Sequence, residues 1–364
     1  MNKVYLDYNA TAPIHPEVLS LVTQIMGEVG NASSVHGYGQ RARKYVEKAR
    51  GQVAQLCAVT PEEVIFTSGA TESINTVLSG YRDKRVLIST IEHPAVIAAA
   101  PHAEKIPVTV DGLVDMSAYK AMLSNGEPPA LVSIMLINSE TGVIQPIKEL
   151  AKMAHDAGAM FHTDAVQGAG RIDILLDALG VDYMSLSAHK MAGPQGVGAL
   201  ITAKGLDFTK FMLGGGQEKN CRAGTHNTAG IAGMGLAAQI ALAQIPQYKE
   251  IQKLRDEMEA KIHQISNHLT IYGENAPRVG NTCNVGLKGV PAQTQMMALD
   301  LDGIAVSSGS ACSSGSFKPS HVLTAMGASE EDAKSALRIS LGWATTSADI
   351  DAFLESWKKI IERT

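Results

Sequence analysis

The sequence predicts an α/β protein in which a mostly parallel sheet wrapped by helices forms a large domain and a smaller α+β domain follows it. Three observations carry this expectation. Between about residues 40 and 245, short apolar runs alternate with stretches whose apolar residues recur at helical spacing, the pattern of a parallel sheet covered on both faces. After the Ala/Gly-rich stretch 229–244 the pattern changes to one long charged helix, short strands and a final helix. A chain of 364 residues, 45% hydrophobic and 18% charged, is large enough for two cores and ordinary for a globular protein.

Taken in order, the apolar runs at 64–66, 86–88, 131–137, 160–163, 183–186 and 197–201 read as strands. Stretches 41–57 and 147–157 carry apolar residues at helical spacing between them. Residues 245–268 predict a long amphipathic helix, followed by short strands around 283–285 and 304–306 and a last helix from Ser347. There is no internal repeat or low-complexity segment.

A net charge of -5 and a pI near 6.1 leave no basic footprint, so direct nucleic-acid binding is not expected. The N-terminus has no signal-peptide pattern and no apolar run approaches 18 residues, so a cytoplasmic protein with no membrane partner is expected. The cysteines Cys57, Cys221, Cys283 and Cys312 are too few and scattered for a disulfide framework, and they form no metal-like cluster with the histidines. No metal site is expected.

The most pointed constellation centres on Lys190, which ends Ser187-Ala188-His189-Lys190 behind the strand-like 181–186 and ahead of the Gly-rich 193–198. Upstream by 26 positions a second strand-like run ends in Asp164, with Gln167 just beyond. A lysine at a strand end can be desolvated enough to form an imine with an aldehyde, and an aspartate on a neighbouring strand can pair with a pyridinium nitrogen. This is the layout of a pyridoxal-phosphate enzyme. Thr67-Ser68-Gly69-Ala70-Thr71-Glu72-Ser73 follows a strand and opens a helix, so backbone N–H groups and hydroxyls converge where a phosphate would sit, although such a segment also serves as a plain cap.

Other residues gain meaning from that context. His93 follows a strand and can stack on a cofactor ring and shuttle protons, or be a surface histidine before a proline turn. Asn138 can bind a substrate carboxylate or cap the turn after it, and His189 can contact phosphate or only shape the strand end. Arg338 lies inside an apolar strand-like run, where a guanidinium needs an anion, either a substrate carboxylate or a structural ion-pair partner. Cys312 sits in a ten-residue stretch, 307–316, holding eight Ser or Gly, and reads as a nucleophile on a mobile arm. Cys57 and Cys283 read as small buried hydrophobes, and nothing near Cys221 activates its thiol.

The motifs Tyr5-Leu6-Asp7-Tyr8-Asn9-Ala10-Thr11, Gly30-Asn31-Ala32-Ser33-Ser34, Gly69-Ala70-Thr71-Glu72-Ser73, Glu92-His93, Asn138-Ser139-Glu140-Thr141-Gly142, Asp164-Ala165-Val166-Gln167, Ser187-Ala188-His189-Lys190, the loop 214–225 and Ser307-Ser308-Gly309-Ser310-Ala311-Cys312 occur in one order along nearly the whole chain. Together they resemble the cysteine desulfurases of the NifS/IscS type, class V of the fold-type I pyridoxal-phosphate enzymes, and within them the group with a long mobile cysteine loop. The resemblance implies a fold-type I transferase with a mostly parallel seven-stranded sheet in a large domain at 15–245, and a small α+β domain, built from 1–14 and 246–364, that carries the cysteine loop. Lys190 would hold pyridoxal 5'-phosphate as an imine and move the α-proton. His93 would stack on the ring, Asp164 would pair with its nitrogen and Gln167 with its phenolate oxygen. Ala70, Thr71, Ser187 and His189 would bind the phosphate, joined by Thr225 from the other subunit of a homodimer. Asn138 and Arg338 would hold the carboxylate of L-cysteine, and Cys312 would take its sulfur as a persulfide, leaving L-alanine. The sulfur would pass to an acceptor protein such as an iron–sulfur scaffold, docked near the Cys312 loop and the last helix.

Three features depart from many members of that group. Ala32 replaces a proline, which is expected to loosen its turn, Trp343 replaces a basic residue, which is expected to alter the mouth of the site, and the chain ends soon after its final helix.

Overall fold

The computed structural model describes residues 3–206, 209–265, 269–309 and 318–362. Its first eight strands are β1 (Val4–Tyr5), β2 (Val64–Thr67), β3 (Val86–Ser89), β4 (Glu104–Ile106), β5 (Leu131–Ser133), β6 (Met160–Asp164), β7 (Tyr183–Ser187) and β8 (Gly198–Thr202). All but β1 join one seven-stranded sheet in the order β2-β8-β7-β6-β5-β3-β4. The β4-β3-β5-β6-β7 portion is parallel and β8 runs antiparallel to both of its neighbours. The mostly parallel sheet expected from the apolar runs is therefore present.

Its strands are buried on both faces. Leu87, Val132, Phe161, Met184 and Ile201 pack into one core, while Val86, Ile88, Leu131, Tyr183 and Leu200, their alternates along the same strands, pack into another. The first core is covered by the helices Gly37–Cys57 and Thr228–Gln244, the second by the helix Ala70–Ser79. The helical stretch Thr228–Ile265 contains a window that by length and composition suffices to cross a membrane, which corrects the expectation that no run approaches that length. Its Ile231, Met234, Ala237 and Ala238 are buried in the main core.

A four-stranded antiparallel sheet is built from β9 (Leu269–Ile271), β10 (Thr282–Leu287), β12 (Ser307–Ser308) and β13 (Ala336–Ser340), with β11 (Ile304–Ala305) pairing in parallel with β1. Val285, Leu337, Ile339, Met258, Ile262, Phe353 and Trp357 form its core. The apolar stripe of the last helix, Ser347–Ile361, packs there, and Trp357 Nε1 donates to Gln295 Oε1 at 2.9 Å.

The N-terminal segment ties the two sheets together. Val4 and Leu6 belong to the second core, Asp7 bridges to Ser340, and the Ala12 and His15 N–H groups donate to the carbonyls of His189 and Ala192 at 2.9 Å. Cys57 and Cys283 are fully buried, as expected, and burial pushes the Cys57 thiol up to about 12. The expected long helix starts only at Tyr248, behind a short turn at Ile245–Gln247 where Pro246 lacks an N–H, and runs to Ile265. The expected strand at 131–137 is regular only to Ser133, although Ile134 and Leu136 continue hydrogen bonding to His162 and Asp164.

Candidate active site

The carboxyl ends of the parallel strands meet at one edge of the large sheet, where open α/β sheets place ligands. Thr67 ends β2, His93 follows β3, Asn138 follows β5, Asp164 ends β6, and Ser187 ends β7 ahead of the single turn Ala188–Lys190. These ends surround a cavity of about 970 Å³, the size of a cofactor-and-substrate site. Ala70, Thr71, His93, Asn138, Asp164, Gln167, Ser187, His189, Lys190 and Arg338 all line it. Thr225 does not: it is exposed and lies outside the cavity of its own chain. Cys312 lies outside the described residues, between Gly309 and Lys318, both of which line the cavity.

Lys190 Nζ donates to the backbone carbonyls of Asn9 at 2.5 Å and Ala10 at 2.7 Å. Burial, with Arg338 and Arg171 nearby, lowers its pKa to about 8, so the neutral amine is far more accessible near neutral pH than on an ordinary lysine. Asp164 is buried and accepts the Val166 N–H at 3.0 Å. Burial raises its pKa and the nearby His93 opposes the rise, so a cation brought to this carboxylate would relieve it. Gln167 Nε2 donates to the Asn9 carbonyl at 3.1 Å while its Oε1 is buried without a partner.

His93 caps the helix Pro94–Ala99 through Nδ1, which accepts the Ala95 N–H at 3.1 Å. The proton of the neutral ring therefore sits on Nε2, and burial lowers the pKa so that the neutral form is favoured. His189 is neutral too, its pKa brought to about 4 by burial and by Lys190, and its Nδ1 pairs with Thr11 Oγ1 at 3.2 Å. Asn138 caps its own turn: Oδ1 accepts from the N–H groups of Glu140 and Thr141 at 2.9 and 3.1 Å, and Nδ2 donates to the Ile91 carbonyl at 3.2 Å. Arg338 forms an ion pair, Nη2 to Asp7 Oδ1 at 2.7 Å, and donates from Nη1 to the Ser139 carbonyl at 3.2 Å, while Nε is buried without a partner. For both residues the structural alternative is realised, and for Arg338 an unused donor remains.

The residues fit pyridoxal phosphate. Gly69, the cap of the helix Ala70–Ser79, offers no side-chain acceptor, so the first-turn N–H groups beside Ser187 are open to a phosphate. A Cβ at Gly198 would stand 2.6 Å from Gly69 Cα, so only glycine lets β8 pass this close beneath that turn. Glu72 holds the turn from behind, accepting the Ser68 N–H at 2.7 Å and the Arg222 Nε–H at 2.8 Å. In the same cavity Asp164 supplies a buried carboxylate for a ring nitrogen, and Lys190 an amine whose pKa is lowered to about 8.

Residues 4–353 match the model of the class-V aminotransferase family. The chain belongs to that family. It is 39% identical to the cysteine desulfurase IscS of Dictyoglomus turgidum, over 99% of this chain and 95% of that one. It is 41% identical to a cysteine desulfurase of Cereibacter sphaeroides, over 100% and 97% of the two chains. Among solved structures, a NifS-like protein from Rickettsia africae superposes with a TM-score of 0.93 at 38% identity, over 99% of this chain and all of the other. The fold is that of the fold-type I enzymes of this family.

The site also uses residues to which no chemistry was assigned from the sequence. Asn9 receives the Lys190 and Gln167 donors on its carbonyl, and its side chain accepts from Arg171 Nη1 at 2.9 Å. Glu92 and Glu140 are buried carboxylates whose pKa values burial raises to about 8 and about 7. His321 and Lys318 enter the cavity wall from just beyond the described end of the cysteine segment. Trp343 does not line this cavity but a smaller neighbouring one that it shares with Lys190, with Nε1 3.4 Å from the Pro13 carbonyl and its ring 5.5 Å from that of His15. Ala32 is buried in the main core, and its carbonyl accepts from Arg43 Nε at 2.9 Å, so the turn is tied down without the proline.

Proposed function

We propose that this protein is a pyridoxal-phosphate-dependent cysteine desulfurase that converts L-cysteine to L-alanine and collects the sulfur as a persulfide on Cys312. The observation that carries the reading is the convergence of Lys190, Asp164 and the open helix N-terminus at Ala70 on one cavity, with Gly309 and Lys318 bringing both flanks of the Cys312 segment to the same space. When bound, the cofactor supplies an electron sink for the substrate α-carbon.

The chain's own groups do the rest. Asp164 would hold positive charge at the ring nitrogen, Gln167 would meet the ring oxygen, and His93, its proton on Nε2, would stack on the ring. Ala70, Thr71, Ser187 and His189 bind the phosphate, and Thr225 of a second copy completes that shell in a homodimer. Arg338, through its unused Nε, and Asn138 orient the substrate carboxylate. Lys190, whose amine has its pKa lowered to about 8 in this site, would move the proton at the α-carbon. The Cys312 thiolate attacks the substrate sulfur as its Cβ–S bond breaks, the bonding pair leaving with the carbon, which is protonated to the methyl group of L-alanine; the persulfide sulfur then passes to a thiol of an acceptor protein, of which an iron–sulfur scaffold is the expected kind. The division into a large domain at 15–245 and a small domain from 1–14 and 246–364 belongs to the same reading.

The test is L-alanine release from L-cysteine, matched by sulfide when a chemical reductant is present. An aminotransferase would produce a keto acid instead and would be indifferent to Cys312→Ser. A lyase would release alanine in the Cys312→Ser variant at the parent rate.

A further inference from the structure

His321 lines the same cavity as Lys190 and His93, and none of the roles above uses it. It opens the short helix His321–Ala325, whose cap is Ser320. Its Nε2 lies 3.0 Å from the backbone carbonyl of Glu92. A carbonyl oxygen can only accept, so Nε2 carries the ring hydrogen and Nδ1 keeps its lone pair. Among the described residues none donates to Nδ1, and the residue is exposed. Although the residue is exposed, partial desolvation of its ring in the cavity wall, helped by His93 and Lys105 and opposed by the Glu92 carbonyl, lowers its pKa, so the neutral form is favoured at pH 7 and the lone pair is available.

L-Cysteine can supply the complementary group. L-Cysteine carries hydrogen-bond donors at its ammonium and at its thiol. In the desulfurase reading, on which this inference rests, the amino end belongs to Lys190 and the carboxylate to Arg338 and Asn138. The thiol is the donor left over, and His321 Nδ1 is an acceptor left over in the same cavity. His93 does not compete for this role, because its own Nδ1 is already occupied by the Ala95 N–H at 3.1 Å.

We propose that His321 is a specificity-determining residue whose Nδ1 accepts the thiol hydrogen of bound L-cysteine. The contact exists only while sulfur is on the substrate. L-Alanine lacks the donor, so the same residue that favours binding of the substrate gives the product no hold.

His321→Gln separates the two ends of the ring. The glutamine Nε2 replaces the histidine Nε2 as donor to the Glu92 carbonyl, while its one acceptor, Oε1, sits on a freely rotating amide and is not fixed by a ring at the Nδ1 position. Dissociation constants of L-cysteine and L-alanine are measured from the change in cofactor absorbance, both in a Cys312→Ser background so that no turnover occurs. The expected result is L-cysteine weakened about threefold to tenfold, the worth of one hydrogen bond, with L-alanine unchanged. Equal weakening of both amino acids, or no change in either, overturns the proposal. His321→Leu, which loses both ends, is the control: if it impairs binding where His321→Gln does not, the residue acts only through its tie to Glu92. Failure of the desulfurase reading itself looks different, since the parent enzyme would then release no alanine from L-cysteine.

Discussion

Ser320 Oγ donates to the buried carboxylate of Glu140 at 2.5 Å, joining the far flank of the Cys312 segment to the loop that follows β5. Gly309, on the near flank, presses against the same carboxylate, and a Cβ there would overlap Glu140 Oε2. One buried carboxylate therefore meets both described flanks.

Gly309→Ala is expected to force that contact apart, at a cost of about 1–3 kcal/mol in stability and with slowed sulfide release. Glu140→Gln tests the charge state. Burial raises the Glu140 pKa to about 7, so the native state holds a proton that the unfolded chain releases near its ordinary value of 4.5. Parent stability should then fall as pH rises from about 4.5 to about 7, and the glutamine variant, which has no such proton, should gain relative to the parent over that window. Chemical unfolding at a series of pH values reads both, and a pH-independent difference would mean that Glu140 is ionised throughout.

The loop that carries Thr225 rests on a different buried carboxylate. Glu218, Lys219 and Asn220 all have positive φ, a strained run for residues with side chains. Arg50 offsets that strain with two 2.8 Å bonds to Glu218, and its guanidinium lies 4.9 Å from the centre of the Phe66 ring. Burial opposes ionisation of Glu218, yet Arg50 and His226 bring its pKa down to about 2. Stability from this group is present above the unfolded value of about 4.5 and is lost as pH falls toward 2. Arg50→Met should cost about 3 kcal/mol at pH 7, because it leaves the carboxylate buried with only His226 and the Phe66 N–H as partners. A loss below about 1 kcal/mol in urea unfolding would show that the loop holds without the pair.

Thr225 is exposed and absent from the cavity of its own chain, and we propose that it serves the phosphate site of a second copy. Lys190→Ala and Thr225→Ala, each weak alone, should therefore complement after subunit exchange, since a mixed dimer contains one intact site. No rise in alanine release above the two parent variants would count against the shared site.

Cofactor capture should follow the ionisation of Lys190. With its pKa lowered to about 8, the amine is mostly protonated below that pH, so the rate at which apo-protein turns yellow on adding pyridoxal phosphate should climb as pH rises through about 8 and level off above it. Borohydride treatment followed by peptide mapping should then mark Lys190. Label on another lysine would refute the assignment.

Much of the fold is legible in the sequence because strands buried on both faces tend to be apolar throughout, and 64–66 and 86–88 show it. The strand β4 is not legible, since as an edge strand it needs only Ile106 buried and exposes Glu104 and Lys105. The site residues with distinctive chemistry, Lys190 and Asp164 above all, stand out at strand ends. The contribution of Asn9 does not, because it acts through a backbone carbonyl that any residue carries. Nor does that of His321, whose tautomer depends on a partner 229 positions away. Arg338 announces an anion without saying which, and Asp7, 331 positions distant, is the one it meets in the fold.

The account stands or falls on where the sulfur goes. Holoenzyme given L-cysteine carrying isotopically labelled sulfur, without reductant or acceptor, should gain one labelled sulfur atom on the peptide containing Cys312, with one L-alanine released for each, and mass spectrometry of that peptide reads it directly. Labelled sulfur on Cys221, or free labelled sulfide with Cys312 unmodified, would contradict it.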